Sequence, residues 1–208
     1  MKLLVVLPIT LVAACTVQAA EPAPDAPVPP GAAVALFAGG CFWCMESDFE
    51  HLAGPGGVIS VTSGYTGGPE KNPTYEQVSR DATHHFESVK VVFDPKKVSY
   101  EKLVDYFFHH VDPTQATGQF CDLGEQYRTA IFPVDDTQAA TAQKVKAEIE
   151  KSGVLHAPVV TIIQKATAFW PAEGYHQDYY RKNPAYYLRY RAGCGRDDRV
   201  KELWGPQH

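Results

Sequence analysis

An α+β domain, with helices packed on a mixed sheet, is the fold class that the 208-residue sequence predicts. Three observations carry the prediction. Strand-like and helix-like runs follow one another in the order β-α-β-β-α-β-α-β-α, and two of the strands adjoin with no helix between them. Apolar residues make up 45% of the chain and charged residues 21%, the balance of a packed globular domain rather than of a disordered chain or a membrane bundle. The length suits one well-packed domain and leaves little room for a second.

Ala33 to Phe37 is a short apolar run that reads as a buried strand and breaks at Gly39-Gly40. The next segment, Phe42 to Leu52, has helix-compatible spacing, so Cys41 falls at a strand-to-helix turn. Val58 to Gly64 and Glu87 to Phe93 read as strands, the second with Val89, Val91 and Phe93 alternating on one face until Asp94-Pro95 stops it. Leu103, Tyr106, Phe107 and His110 recur at helical spacing, which makes Ser99 to Val111 an amphipathic helix with Ser99 as its N-cap. Tyr127 to Val134 reads as a strand, Asp136 to Lys151 as a helix closed by Gly153, and Pro158 to Ile163 as a further strand. A short helix is expected around Tyr175 to Arg181. Beyond Asn183, where Gly, Pro, Tyr and Arg crowd, an extended and irregular tail is expected to bring Cys194 over another part of the domain.

The N-terminus is organised differently. Met1-Lys2, the apolar run Leu3 to Ala14 and the small residues up to Ala20 have the pattern of a secretory signal, and the run is too short for a stable membrane span. Val17-Gln18-Ala19 offers an ordinary cleavage site. Val12-Ala13-Ala14-Cys15 offers a lipobox, which is preferred because a lone Cys15 otherwise lacks a reason; its lipidation would make the chain a periplasmic, membrane-anchored lipoprotein. Glu21 to Gly31 holds Pro22, Pro24, Pro27, Pro29 and Pro30, reads as a stiff tether standing the domain off a surface, and hands over to the domain near Ala32. The formal net charge of −5 gives no long-range attraction to phosphate backbones or anionic lipid, so a nucleic-acid partner is not expected.

In an oxidising compartment Cys41, Cys44, Cys121 and Cys194 could form two structural disulfides. A domain of this size does not need such staples, however, and Cys41 sits where a thiol becomes reactive. At the first turn of a helix, unpaired N–H groups and the positive end of the macrodipole favour the thiolate, which is the nucleophilic form. Phe42 and Trp43 beside it can wall an apolar pocket; the ordinary alternative is that they are plain core residues.

Seven segments in order add a resemblance: Gly40-Cys41-Phe42-Trp43, Gly64-Tyr65-Thr66-Gly67-Gly68, Asn72-Pro73-Thr74-Tyr75, His85-Phe86-Glu87, Asp112-Pro113-Thr114-Gln115, Asp122-Leu123-Gly124 with Gln126-Tyr127-Arg128, and Pro171 through Gln177. Together they resemble the A-type peptide-methionine (S)-S-oxide reductases. The resemblance implies a two-layer sandwich with a ferredoxin-like core, a methionine sulfoxide substrate in proteins or free, protein repair under oxidative stress, a monomer and no cofactor. It implies that Cys41 is the nucleophile and Glu87 an acid kept protonated by burial, that Tyr75 and Tyr127 hold the sulfoxide oxygen, and that Phe42 and Trp43 receive the S-methyl group. Glu46, Asp122 and His176 match positions that orient substrate or shape the site.

A sulfenic acid at Cys41 would be resolved to a disulfide by a second thiol. Cys194, between two flexible glycines, ranks first and Cys44 close behind; Cys44 stands where the family more often has Gly, and Cys121 where Asn is more usual. Thioredoxin or a thioredoxin-like domain is the expected reductant, since the chain has no flavin or nicotinamide motif. Three other readings compete. Cys41 and Cys44 could serve a general thiol–disulfide oxidoreductase, in which the Tyr75, Glu87 and Tyr127 set has no job. A metal site on His84-His85, Glu87, His109-His110 and the cysteines lacks a recognised ligand spacing, so no metal is expected. A disulfide-stapled surface lipoprotein that only binds a partner is the non-enzymatic reading.

Overall fold

The computed structural model describes residues 20–206. The expected signal, its cleavage sites and Cys15 lie outside the described residues. Among those described, no helix is long and apolar enough to cross a membrane. The elements run β1 (Ala33–Gly39), α1 (Phe42–Glu50), β2 (Val58–Thr66), α2 (Tyr75–Ser79), β3 (Phe86–Phe93), α3 (Tyr100–Phe108), β4 (Gly118–Gln119), β5 (Asp122–Leu123), β6 (Thr129–Ile131), α4 (Asp136–Ser152), β7 (Ile162–Ile163), β8 (Trp170–Pro171), α5 (Tyr179–Lys182), α6 (Pro184–Gly193) and α7 (Arg196–Trp204).

One six-stranded sheet has the order β7-β6-β1-β3-β2-β8, and β4 and β5 form a separate small hairpin. Its centre, β6-β1-β3-β2, is antiparallel throughout, which with the helices between strands is the ferredoxin-like arrangement. β7 joins β6 in parallel and makes the sheet mixed. Val89, Val91 and Phe93 of β3 share one core with Phe37 and with Met45, Phe49, Leu103 and Phe107 of α1 and α3. Phe37 stacks on Phe49 and Phe107 at 4.9 and 5.2 Å, and each such ring contributes on the order of 1.5–3 kcal/mol by leaving water. The other face carries Leu36, Ala38, Phe86, Ala130 and Phe132, roofed by Ala166 and Phe169. β3 is therefore buried on both faces.

Several expectations are corrected. The sixth strand begins at Thr129, because Tyr127 closes a single 3₁₀ turn that opens at Gly124. The strand expected over 158–163 pairs only at Ile162 and Ile163. α2 was not foreseen; Thr74 and Gln77 form a reciprocal capping box that starts it. The tail is helical rather than extended. Pro184 opens α6 at the position where its missing N–H costs nothing, and Gly195 (φ 69°) lets the chain turn into α7. Both helices are held by tertiary contacts: Tyr187 is buried over Cys44, and the guanidinium of Arg196 is buried and bonds to Gly39 O and His110 O at 3.0 Å each. Start of the proline-rich segment also differs, since it lies along the domain instead of standing off it. Pro22 bridges to Glu173, the Ala23 N–H donates to Ala172 O at 3.0 Å, and Lys90 holds both Asp25 and the Ala26 carbonyl.

Candidate active site

One end of the sheet gathers the chemistry. The C-terminal end of β1, the end of β2, the start of β3 and the start of β6 lie side by side, as the pairs Gly39↔Thr129 and Tyr65↔Glu87 show. Gly40 has φ +85°, and a Cβ there would come within 2.6 Å of Gln119 Cβ, so the turn into α1 requires glycine. Cys41 is the N-cap of α1, and Phe42, Trp43, Cys44 and Glu46 follow within its first turns.

Glu87 points into the same place by strand parity. It shares the face of Val89 and Val91, so its carboxyl enters the protein beneath α1 with 2% of its surface exposed. Oε2 accepts the Phe42 N–H at 3.0 Å, the backbone directly after Cys41. Burial pushes the Glu87 carboxyl up to about 8, tempered by that N–H and by the Tyr127 hydroxyl. It is a neutral acid at pH 7. Tyr75 and Tyr127 stand at the rim, half-buried, and burial and then the Glu87 carboxylate raise both phenols, so their hydroxyls remain donors. Tyr75 is placed by Glu173, whose carboxylate accepts the Tyr75 N–H at 2.8 Å and the Tyr65 hydroxyl at 2.9 Å.

His176 has a derivable role. Its Nδ1 accepts the Trp43 Nε1–H at 3.0 Å, its ring lies 4.4 Å from that of Tyr75 and 5.0 Å from that of Phe42, and burial lowers it to about 4. A neutral imidazole thus fixes the Trp43 indole, on which the Tyr179 ring stacks at 3.7 Å. Glu46 does not face the Cys41 sulfur; it accepts the Ser63 hydroxyl at 3.1 Å and the Asp178 N–H, clasping α1 to β2 and to the segment after His176. Burial raises its carboxyl to about 8.

The cysteines fall into two pairs. Cys121 and Cys194 are joined in a disulfide, and Cys41 and Cys44 are free and buried. Cys194, expected first to close on Cys41, is thus taken by Cys121, and Cys44 is the thiol beside Cys41. Tyr187 and Tyr190 of α6 pack over the buried pair. Asp122 accepts the Tyr190 hydroxyl at 2.5 Å, and its Oδ2 lies 3.8 Å from Cys194 Sγ. With the tail docked, burial pushes the Cys41 thiol well above its ordinary value, with Cys44 and Glu87 adding to the rise. Cys44 moves down: it shares the Cys41 proton, and the guanidinium groups of Arg196 and Arg191 outweigh part of the desolvation. Desolvation therefore works against the helix-terminus argument for an ionised Cys41, while its partner Cys44 is shifted toward the thiolate. A surface cleft lies elsewhere, between α1, α3 and the tail, around His51, Tyr106 and His110.

The sequence reading left out Glu173, Tyr190, Arg191 and Arg196. Tyr187, Tyr190, Arg191 and Cys194 recur at helical spacing, a signal masked by the surrounding glycines and prolines. Among the histidines weighed for a metal, His85 accepts the Gly68 N–H at 3.2 Å and contacts Glu70 O at 2.9 Å, and His109 and His110 contact carbonyls of their own helix. The acidic and thiol group with metal-like proximity among the described residues is Cys121, Asp122 and Cys194, two of whose sulfurs are spent in the disulfide.

Residues 33–208 match the family model described as peptide methionine sulfoxide reductase. The chain is 49% identical over 172 residues to the peptide methionine sulfoxide reductase MsrA of Bacillus subtilis, covering 83% of this chain and 96% of that one. It is 50% identical over 173 residues to MsrA 2 of Rhizobium meliloti, covering 82% and 83%. Among solved structures, Mxr1 of Saccharomyces cerevisiae in reduced form superposes with TM-score 0.70 at 30% identity over 75% of this chain and 88% of that chain. Methionine sulfoxide reductase A of Corynebacterium diphtheriae gives 0.67 at 33% identity over 75% and 77%. A general Cys-x-x-Cys oxidoreductase is not favoured, since it leaves the buried acid and its two phenols without work. The chain belongs to the peptide methionine sulfoxide reductase family and is an oxidoreductase that reduces methionine sulfoxide.

Proposed function

We propose that Cys41 attacks the sulfur of a methionine-S-sulfoxide, in peptides or free, while Glu87 protonates the departing oxygen. Cys44, held toward the thiolate by Arg191 and Arg196, takes the Cys41 proton as the attack begins. Tyr75 and Tyr127 donate to the sulfoxide oxygen from fixed positions, the arrangement that stabilises charge as it develops. Phe42 and Trp43, the latter braced by His176, receive the S-methyl group. Attack and protonation leave a hydroxyl on the methionine sulfur now bonded to Cys41. Passage of that hydroxyl to the Cys41 sulfur breaks the new S–S bond, methionine leaves with the bonding electron pair, and Cys41 becomes a sulfenic acid. Cys44 condenses with it to a disulfide and water. A thioredoxin-like dithiol restores the enzyme, which works as an exported repair protein if the N-terminal signal is used as read.

The observation that carries this reading is the Glu87 carboxyl, buried and tied to the backbone one residue beyond Cys41, where burial favours its neutral form. The test is single-turnover reduction of resolved sulfoxide epimers. Glu87→Gln keeps the shape and loses the proton, so the rate on the S epimer should fall on the order of 10²- to 10⁴-fold. Cys41→Ser should abolish it. Wild-type rates in the glutamine variant, or turnover by the serine variant, would sink the assignment.

A further inference from the structure

We propose that Cys121 is a redox-active thiol of the reaction, the exit of a four-cysteine relay in which oxidation received at Cys41 passes through Cys44 and Cys194 and leaves from the Cys121–Cys194 disulfide. The inference rests on the nucleophile assignment just made and adds to it the route by which the enzyme is recharged.

The two pairs stand in opposite redox states, and the oxidised one is at the surface. Cys41 and Cys44 are 7% and 2% exposed beneath Tyr187 and Tyr190, so a protein dithiol has no line of attack on them. Cys121 is exposed at the turn of the β4–β5 hairpin, next to Leu123, which is 66% exposed. The pairs nevertheless share a wall. Tyr190, whose hydroxyl acts on Cys41, donates to Asp122, and Asp122 touches Cys194. Cys194 caps the helix whose Tyr187 and Tyr190 pack over the buried pair and is followed by Gly195 in the left-handed region, the corner about which the relay requires its sulfur to turn between Cys44 and Cys121.

The chemistry balances without a further reactant. The Cys41–Cys44 disulfide formed with loss of water is attacked at Cys44 by the Cys194 thiolate, which breaks the Cys41–Cys44 bond and frees Cys41. The Cys121 thiolate then attacks Cys194, forming the Cys121–Cys194 bond and releasing Cys44. An external dithiol breaks that last bond and is itself oxidised to a disulfide. The sequence has a direction: the guanidinium charges of Arg196 and Arg191, both held in place by Asp48, favour Cys44 as the departing thiolate. A pair whose reduced form is stabilised is the stronger oxidant, so the disulfide settles on Cys121 and Cys194.

Fully reduced enzyme, freed of reductant, is given one molar equivalent of a methionine-S-sulfoxide peptide, then alkylated and peptide-mapped. One methionine should appear, with Cys121 and Cys194 bonded and Cys41 and Cys44 alkylated. Cys121→Ser should release that first methionine equally well, which also shows that it folds, yet leave the disulfide on Cys44. Its steady-state turnover with a thioredoxin should fall by about tenfold or more, while dithiothreitol still sustains it. Alkylated Cys121 in the wild type after one equivalent, or wild-type turnover of Cys121→Ser with thioredoxin, would make the disulfide a structural staple and overturn the relay. No methionine from the reduced wild type would instead overturn the nucleophile assignment beneath it.

Discussion

Glu87 shows how one side chain acquires a task from its strand position. A solvated carboxylate would be ionised at pH 7 and useless as an acid; parity places this one on the apolar face, and burial holds it near 8. The consequence for rate follows by sign. On the proposed assignment Glu87 acts in its acid form, so single-turnover rates should hold up to about pH 7 and decline as pH rises through about 8. His176, lowered to about 4, stays neutral over that range and adds no limb. Rates measured across pH 6–10 should lose the alkaline limb in Glu87→Gln and keep it in Glu46→Gln, although Glu46 is raised to a similar value. A limb that survives in Glu87→Gln would assign the proton to another group.

At the scale of elements, α6 is the piece that decides access. It has a weak apolar stripe of its own and is held by Tyr187 and Tyr190 over the thiols, by Arg191 on Asp48, and by the covalent tie at Cys194. Removing Tyr190 takes away both the Asp122 contact and the cover on Cys41. With the Cys121–Cys194 bond intact, alkylation of Cys41 by iodoacetamide should therefore be slow in the wild type and about tenfold faster in Tyr190→Ala, the factor expected for losing about 1.4 kcal/mol of local closure. Equal rates would mean that the helix leaves the site readily without that side chain's help.

For the whole molecule, the buried carboxyls make stability depend on pH in an unusual direction. Glu46 and Glu87 are each raised from 4.5 to about 8, so between those values the folded chain binds protons that the unfolded chain has released. Their contribution is complete below about 4.5 and is lost as pH rises through about 8. His176 opposes them only below its ordinary value, where folding must keep it neutral. The melting temperature should accordingly fall between pH 6.5 and 8, and Glu46→Gln should make that fall shallower. An identical slope in the variant would show that Glu46 ionises normally in the folded protein.

Much of this architecture is local and therefore readable in order along the chain. The alternation of Val89, Val91 and Phe93, the glycine-opened turn at Cys41 and the Ser99-capped amphipathic helix are each set by neighbours in sequence, so β1, α1, β2, β3, α3 and α4 were legible from spacing alone. So was the inventory of the site, because its motifs sit at the ends of those elements. Three things depended on tertiary structure. Residues beyond Asn183 form helices only where the domain offers Cys44, Asp48 and Gly39 O as partners; the proline-rich segment found its place against Ala172 and Lys90; and Cys194 met Cys121 across a separation of 73 residues. Four thiols admit more than one pairing, and only distance in the folded chain selects among them. The sequence by itself thus determined the fold class, the family and the candidate groups of the site, whereas the fold decided which of those groups are buried together and which sulfur faces the solvent, because burial and proximity are properties of packing and not of order along the chain.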